Sequence, residues 1–150
     1  GGALHGRRPV FEERLARVTD RSDLVTARLL AIWQQALDAP IDMQPVWLHG
    51  DLHPQNILVE NGALSGIIDW GDMTGGDCAT DLAAIWMLFD DAQARREALA
   101  AYGPISQATM RRARGWAVHL GVTLLDAGRV DAPRHALVGE NTLRRLNASP

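Results

Sequence analysis

Two short segments decide the fold: His-Gly-Asp-Leu-His-Pro-Gln-Asn at residues 49–56 and Ile-Ile-Asp-Trp-Gly-Asp at residues 67–72. The first segment leads into an apolar run at residues 57–59, and a second run at residues 66–68 enters the other segment. Asn61-Gly62 lies between the two runs, and this dipeptide strongly favours the tight turn of a β-hairpin. The sequence therefore predicts one small hairpin that joins the two segments.

Three polar residues are predicted to meet at the open end of this hairpin. Antiparallel pairing brings the start of the first strand beside the end of the second. Asn56 and Asp69 should therefore flank the open end, and Asp51 should approach it through the loop. Two carboxylates and one amide oxygen form an all-oxygen set, which suits Mg²⁺ better than zinc. Gly71, two residues after Asp69, permits a sharp change of chain direction.

The spacing of these residues resembles the catalytic core of the aminoglycoside phosphotransferase family, within the protein-kinase-like superfamily. Kinases carry H-x-D-x-x-x-x-N followed by D-F-G. Here His49, Asp51 and Asn56 have the first spacing, and Asp69-Trp70-Gly71 follows with tryptophan in place of phenylalanine. Residues 76–83, Gly-Asp-Cys-Ala-Thr-Asp-Leu-Ala, are similar to the family's G-D-P-x-x-D-L-A stretch. The likeness is specific over residues 46–83 and weaker over most of the chain.

The resemblance implies a chemical role for three residues. Asp51 resembles the catalytic base that accepts or orients the proton of the substrate hydroxyl. Asn56 and Asp69 resemble the ligands of the Mg²⁺ that holds the phosphates of ATP or GTP. The implied reaction is phosphate transfer to a hydroxyl group of a small-molecule substrate.

Four further residues receive a supporting or open role from the resemblance. His49 and Gly71 are implied as structural support for the loops. Asp81 is implied as a carboxylate that accepts backbone N–H groups of the catalytic loop. Asp72 stays open between facing the substrate and capping the turn.

The remaining pattern predicts one domain over residues 1–150, a mainly helical α+β fold like the C-terminal lobe of a kinase. Val46-Trp47-Leu48 is predicted as a short buried run before the loop. One helix is predicted to begin at a cap on Ser22 or Asp23 and to end near Ala39, before Pro40. Further helices are predicted at residues 10–18, 79–90, 92–101, 106–128 and 133–146.

The basic residues point to a missing part of the nucleotide cleft. All fifteen are arginines, and the chain contains no lysine. The family implies an N-terminal lobe with a phosphate-covering loop and a lysine that pairs with the phosphates. The expectation is that this chain is the C-terminal lobe alone, without its N-terminal nucleotide lobe. Such a chain should transfer phosphate negligibly by itself, and its exposed apolar surface should be buried by self-association or covered by a rearranged segment.

Composition limits the partners and the location. The charge of 15 − 18 = −3 argues against nucleic acid or an anionic membrane as a partner. No apolar run approaches the ~18 residues of a membrane span. The single cysteine, Cys78, cannot form an internal disulfide, so a reducing, cytoplasmic location is expected.

Several charged and aromatic residues are interpreted as ordinary surface or core. Acidic residues occur without arginine or lysine from Leu29 to Ala94. We interpret four of them as solvated surface: Asp38, Asp42, Asp90 and Asp91. Arg111, Arg112 and Arg114 are interpreted as a solvated helix face. The five tryptophans are interpreted as core or lobe-interface residues.

Three functions stay open from the sequence. The first is an ATP-dependent phosphotransferase, the second a non-catalytic binding or regulatory remnant of the same fold, and the third a metal-dependent hydrolase. The intact set of Asp51, Asn56 and Asp69 argues against a remnant. A hydrolase would need a further ligand-rich loop, which the sequence does not show. The acceptor stays open among aminoglycosides, macrolides, choline, homoserine and sugars.

Overall fold

The computed structural model describes residues 3–20, 22–128 and 132–148, and it is mainly helical with two small antiparallel strand pairs. The helices are α1 (Arg8–Thr19), α2 (Ala27–Leu37), α3 (Ala79–Leu82), α4 (Ala84–Leu88), α5 (Ala92–Tyr102), α6 (Gln107–Gly128) and α7 (Pro133–Ala148). The strands are β1 (Val46–Leu48), β2 (Ile57–Glu60), β3 (Ala63–Ile67) and β4 (Thr74–Gly76). This architecture confirms the predicted α+β class.

Strands β2 and β3 form the predicted hairpin. Ile57 pairs with Ile67 at its open end, and Glu60 pairs with Ala63 beside the turn. Asn61 and Gly62 both have a positive φ, 51° and 80°, as a type I′ turn requires. The hairpin therefore turns at Asn61-Gly62, the position that the sequence predicted.

A second strand pair was not predicted. Strands β1 and β4 are antiparallel, with Val46 opposite Gly76 and Leu48 opposite Thr74. The prediction that residues 46–48 are buried is wrong for two of them: only Leu48 is buried, while Trp47 is 78% exposed. Three-residue strands that pair across a long stretch of chain leave no local turn signal.

The helices occur where the periodicity predicts them, but two details are corrected. The cap of α2 is Thr26, whose hydroxyl oxygen accepts a hydrogen bond from the Leu29 N–H at 3.3 Å. Ser22 instead accepts a bond from the Leu24 N–H within a separate turn. The helix predicted at residues 79–90 is divided at Ala83 into α3 and α4. None of the helices in the described ranges combines the length and the apolar character needed to cross a bilayer.

Helix α6 lies at the centre of the core and packs against α1, α2, α3 and α7. An aromatic cluster fills the contact with α1 and α2. The rings of Phe11 and Trp33 stack with centroids 4.0 Å apart, and His119 of α6 lies 6.1 Å from each. Trp116 meets His119 edge-on at 5.6 Å. His119 is therefore a buried polar residue among aromatic rings.

We expect the protein to lose stability as the pH falls from 6.5 toward 4, because of His119. Burial, together with the charges of Arg7 and Arg14, lowers the pKa of His119 from 6.5 to about 4. In this pH window the unfolded state binds a proton that the folded state excludes, so acid favours unfolding. The free energy of unfolding lost through His119 reaches about 3 kcal/mol once the pH is below about 4.

Denaturant unfolding at pH 7 and pH 4.5 measures this loss. His119→Gln is the matched variant, because it keeps a neutral polar side chain and cannot titrate. The variant should lose clearly less stability than the wild type between the two pH values. Equal losses of stability in the wild type and the variant would contradict the assignment of this pH dependence to His119.

Arg112 corrects the prediction of a solvated arginine face on α6. Its side chain is only 3% exposed and donates to Asp77 Oδ2 at 2.6 Å. It also donates to Asp42 Oδ1 at 3.2 Å and to the carbonyl oxygen of Pro40. Asp42 is therefore paired rather than merely solvated. The prediction that Asp90 is only solvated is corrected in the same way: Asp90 forms an ion pair with Arg145 of α7, although it remains exposed.

Candidate active site

His49 fixes the start of the loop that carries Asp51. Its side chain is buried, and its Nδ1 accepts a hydrogen bond from the Asp51 N–H at 3.3 Å. Its Nε2 lies 2.9 Å from the carbonyl oxygen of Ile68. Because Nδ1 accepts, Nε2 carries the hydrogen and donates to Ile68. This one ring therefore ties the Asp51 loop to the segment that carries Asp69.

Asp81 of α3 holds the same loop from the other side. Its Oδ2 accepts from the His49 N–H at 2.7 Å, and its Oδ1 accepts from the Gly50 N–H at 3.0 Å. Gly50 has φ 88°, and a Cβ there would lie 2.4 Å from the carbonyl oxygen of Asp72. The loop thus requires glycine at this position, because a side chain would strain the backbone and collide with Asp72.

Asp51 and Asn56 are in direct contact. The Asn56 Nδ2 donates to the Asp51 carbonyl oxygen at 2.9 Å and lies 3.4 Å from its Oδ2. Asn56 is buried, whereas the side chain of Asp51 remains 43% exposed. The loop therefore holds the backbone of Asp51 firmly and presents its carboxylate to incoming groups.

His53 also contacts Asp51, although the sequence analysis gave it no role. Its Nδ1 accepts from the Gln55 N–H at 3.2 Å, so its Nε2 carries the hydrogen. That Nε2 lies 3.4 Å from Asp51 Oδ2. His53 is buried and can orient the carboxylate of Asp51. Its spacing, two residues after Asp51, is the signal in the sequence.

Asp69 lies beyond the open end of the hairpin, as its spacing predicted. The Ile68 N–H donates to the Asn56 carbonyl oxygen at 3.0 Å, which places the two segments side by side. Asp69 itself has φ 61° and ψ 61°, a left-handed conformation that is uncommon outside glycine. The sharp change of direction is made by Asp69 rather than by Gly71, whose φ is not left-handed. Strained backbone of this kind is concentrated at functional sites.

The donor atoms at the hairpin end fit a magnesium–nucleotide complex. The Asn56 amide donates its Nδ2 hydrogen bond to Asp51. Its Oδ1 is therefore the atom that can face a cation. Asp69 is exposed, and its carboxylate accepts no hydrogen bond from the described residues. Mg²⁺ is commonly held by one or two protein oxygens together with phosphates and waters. Within residues 3–20, 22–128 and 132–148 no three His, Cys, Asp or Glu side chains form a complete metal cage.

Apolar side chains are exposed beside this site and along the hairpin. Trp70 is 51% exposed and contacts the His49 ring with centroids 4.8 Å apart. On the hairpin, Val59 and Leu64 are 65% and 64% exposed. Trp33, Trp86 and Trp116 are buried as interpreted, whereas Trp47 and Trp70 are exposed.

Comparison with known proteins identifies a family. The profile described as the phosphotransferase enzyme family matches residues 4–116. A stretch of 50 residues is 36% identical to the uncharacterized protein YcbJ of Bacillus subtilis (strain 168), covering 33% of this chain and 16% of that protein.

Two solved structures are similar to this chain. Macrolide 2'-phosphotransferase type I is 24% identical with a TM-score of 0.52, over 95% of this chain and 49% of that one. A thermostable mutant of aminoglycoside phosphotransferase APH(4)-Ia, in a ternary complex with AMP-PNP and hygromycin B, is 21% identical with a TM-score of 0.48. That match covers 85% of this chain and 47% of the other. The chain therefore spans about half the length of these solved phosphotransferases.

Proposed function

Because the chain belongs to the phosphotransferase enzyme family, we propose that it transfers phosphate from ATP or GTP to a hydroxyl group of a small molecule. We further propose that residues 1–150 correspond to the C-terminal lobe. On this proposal the other half of the nucleotide cleft lies outside them, and these residues alone do not complete the reaction. The observation that carries the proposal is the convergence of Asp51 and Asn56 beside the hairpin end that leads to Asp69.

Asp51 acts as the base in this proposal. Its carboxylate is half-exposed at the loop surface, while its backbone is held by His49 and Asn56. A base that is fixed in this way can accept or orient the proton of an acceptor hydroxyl without first reorganising. His53 lies beside one carboxylate oxygen and leaves the other oxygen to the substrate.

Asn56 and Asp69 bind the metal in this proposal. A bound Mg²⁺ would neutralise charge on the transferred phosphate, which is the main catalytic requirement of phosphate transfer. The chain's own contribution is to hold one amide oxygen and one carboxylate at the same hairpin end. The left-handed backbone of Asp69 serves to turn this carboxylate out of the line of β3.

Replacing Asp69 tests the metal assignment. In an enzyme that joins this lobe to its nucleotide lobe, Asp69→Asn should weaken Mg²⁺-nucleotide binding, because a neutral amide replaces the anionic ligand. Calorimetric titration with MgATP measures the affinity. Glu60→Gln is the control, because it removes a carboxylate from the closed end of the same hairpin. An affinity unchanged by Asp69→Asn would move the metal role away from Asp69, with Asp72 as the next candidate.

A further inference from the structure

Two neighbouring hollows lie between helices α2, α4, α5 and α6, and their walls contain neither the proposed base nor the proposed metal ligands. The first hollow has a volume of about 290 Å³ and is lined by residues of α2 and α6. The second has a volume of about 180 Å³ and is lined by residues of α4, α5 and α6. Met110 and Arg114 of α6 line both hollows, so the two are adjoining parts of one surface.

The spacing of residues on two helices turns arginines toward these hollows. Residues of α6 that line the first hollow repeat at i, i+3, i+4 and i+7, the pattern of one helix face: Gln107, Met110, Arg111 and Arg114. Residues of α5 that line the second hollow have the same pattern: Ala92, Arg95, Arg96 and Leu99. Arginines of both helices therefore face the second hollow, and Arg111 extends this positive wall into the first.

Three arginines of these walls form no ion pair with a carboxylate of the described residues: Arg95, Arg96 and Arg111. Arg96 and Arg111 each donate to a glutamine side-chain oxygen, and Arg95 donates to two backbone carbonyl oxygens. No carboxylate of the described residues lines either hollow. Five arginines elsewhere in the described ranges do pair with carboxylates: Arg8, Arg17, Arg112, Arg144 and Arg145. The chain as a whole has a charge of −3, so the positive walls are a local feature.

Arg114 shows the electrostatic consequence of this arrangement. Its side chain is partly buried. Burial, and then the charge of Arg28, lower the pKa of Arg114. A lowered pKa of an arginine means that its surroundings disfavour the positive charge. An anion bound between Arg111 and Arg114 reverses this effect, because an opposite charge within about 4–6 Å favours the charged form.

The remaining wall residues divide into a polar and an apolar part. Gln35 and Gln107 bring to the first hollow side-chain amides, which can donate to an oxyanion. Trp86, Leu99 and Met110 give the second hollow an apolar wall. Neither hollow reaches the roughly 300 Å³ at which pockets for drug-sized ligands begin. The pair therefore suits a small molecule with one polar and one apolar end.

We propose that the two hollows walled by Arg96, Arg111 and Arg114 form one binding site, the arginine site, for a small organic anion with an apolar body. The anionic head, a phosphate or a carboxylate, lies between Arg111 and Arg114, because a planar guanidinium binds two oxygens of either group at once. The apolar body covers Leu99 and Met110 in the second hollow. The inference goes beyond the proposed function, in which none of these residues takes part.

Ring compounds of similar size and different charge test the selection. Phenyl phosphate and benzoate are anions, benzyl alcohol is neutral and benzylamine is a cation. Each is titrated into the 150-residue chain without Mg²⁺ or nucleotide, and two-dimensional NMR follows the Trp86 indole N–H and the Met110 methyl group. At least one anion should shift both signals and bind at least about tenfold more tightly than the neutral and cationic rings. The tighter of the two anions then identifies the head group.

Two results of this titration would overturn the proposal. One is the absence of shifts at both residues with both anions, and the other is equally tight binding of benzyl alcohol or benzylamine. Inorganic phosphate tests the head group alone and should bind at least about threefold more weakly than phenyl phosphate. Equal affinity for the two phosphates would contradict the role of the apolar wall.

Two arginine variants separate the arginine site from a general effect of charge. Arg111→Met removes one guanidinium of the site and should weaken binding of the preferred anion about three- to tenfold. Because Arg111 is exposed, this variant should fold as the wild type does. Arg144→Met is the matched control, since it removes the same charge from an exposed arginine of α7 that lines neither hollow. Unchanged binding by Arg111→Met, or equal weakening by both variants, would show that the anion does not bind at the arginine site.

Asp69→Asn distinguishes the arginine site from the proposed metal site. This variant changes only the hairpin end, so it should leave anion binding in the absence of Mg²⁺ unchanged. If no anion binds while MgATP affinity still depends on Asp69, the arginine site is wrong and the phosphotransferase proposal stands. If an anion binds as expected while Asp69→Asn leaves MgATP affinity unchanged, the arginine site is supported and the metal assignment is wrong.

Discussion

Asp51→Ala is expected to lower kcat by a factor of about 10²–10⁴ in an enzyme that joins this lobe to its nucleotide lobe. Asp51 presents a half-exposed carboxylate whose backbone is fixed by Asn56 and His49. Removing the carboxylate removes the group proposed to accept the hydroxyl proton. The nucleotide KM should change little, because Asn56 and Asp69, rather than Asp51, are the proposed metal ligands.

Steady-state kinetics with a coupled ADP assay separates kcat from KM for this variant. Asp51→Asn is a second variant, which keeps the shape of the side chain and removes its basicity. Asp38→Ala is the control, because Asp38 is an exposed carboxylate at the end of α2. Near-normal turnover in both Asp51 variants would show that another group accepts the proton.

Arg112→Met is expected to destabilise the fold by about 3–5 kcal/mol, because it leaves buried carboxylate charge without its cation. The Arg112 side chain is 3% exposed and that of Asp77 is 8% exposed. Asp42 shares the same guanidinium group at 3.2 Å. The pair joins α6 to the residue that precedes α3 by two positions, and α3 carries the loop-supporting Asp81.

Denaturant unfolding at pH 7 measures the destabilisation. Arg111→Met is the matched control, because Arg111 is the exposed neighbour on the same helix, and its loss should cost no more than about 0.5 kcal/mol. Adding Asp77→Asn to Arg112→Met should recover part of the loss, because it neutralises a stranded carboxylate. Equal destabilisation by the Arg111 and Arg112 variants would contradict the buried ion pair.

Local signals predicted the elements of this fold well. Asn61-Gly62 determines the β2–β3 turn by its own backbone preference, which needs no distant partner. The helices α5, α6 and α7 follow from apolar periodicity and from the breaks at Gly103-Pro104 and Pro133. The hairpin in turn places Asn56 beside the segment that leads to Asp69, so the candidate site could be located from spacing alone.

The sequence predictions were wrong or incomplete where a contact with a distant segment decides the local structure. The pairing of β1 with β4 was not predicted, because no tight turn joins these two strands. Thr26 caps α2 and also donates its hydroxyl hydrogen to Asn147 at 2.5 Å, a contact that links opposite ends of the chain. Ser22, Asp23 and Thr26 all belong to residue types that favour a helix cap, so tertiary contacts decided that Thr26 caps α2.

The sequence by itself determined the hairpin, the positions of most helices, and the spacing that identifies Asp51, Asn56 and Asp69, because each depends on residues that are close in the chain. The tertiary structure alone decided that Arg112 is a buried cation, since its partners Asp42 and Asp77 come from loops before α6. It alone also brought Arg96 of α5 and Arg114 of α6 to the wall of one hollow. The physical reason is that burial, pairing and cavity walls depend on contacts between distant segments, which no local pattern specifies.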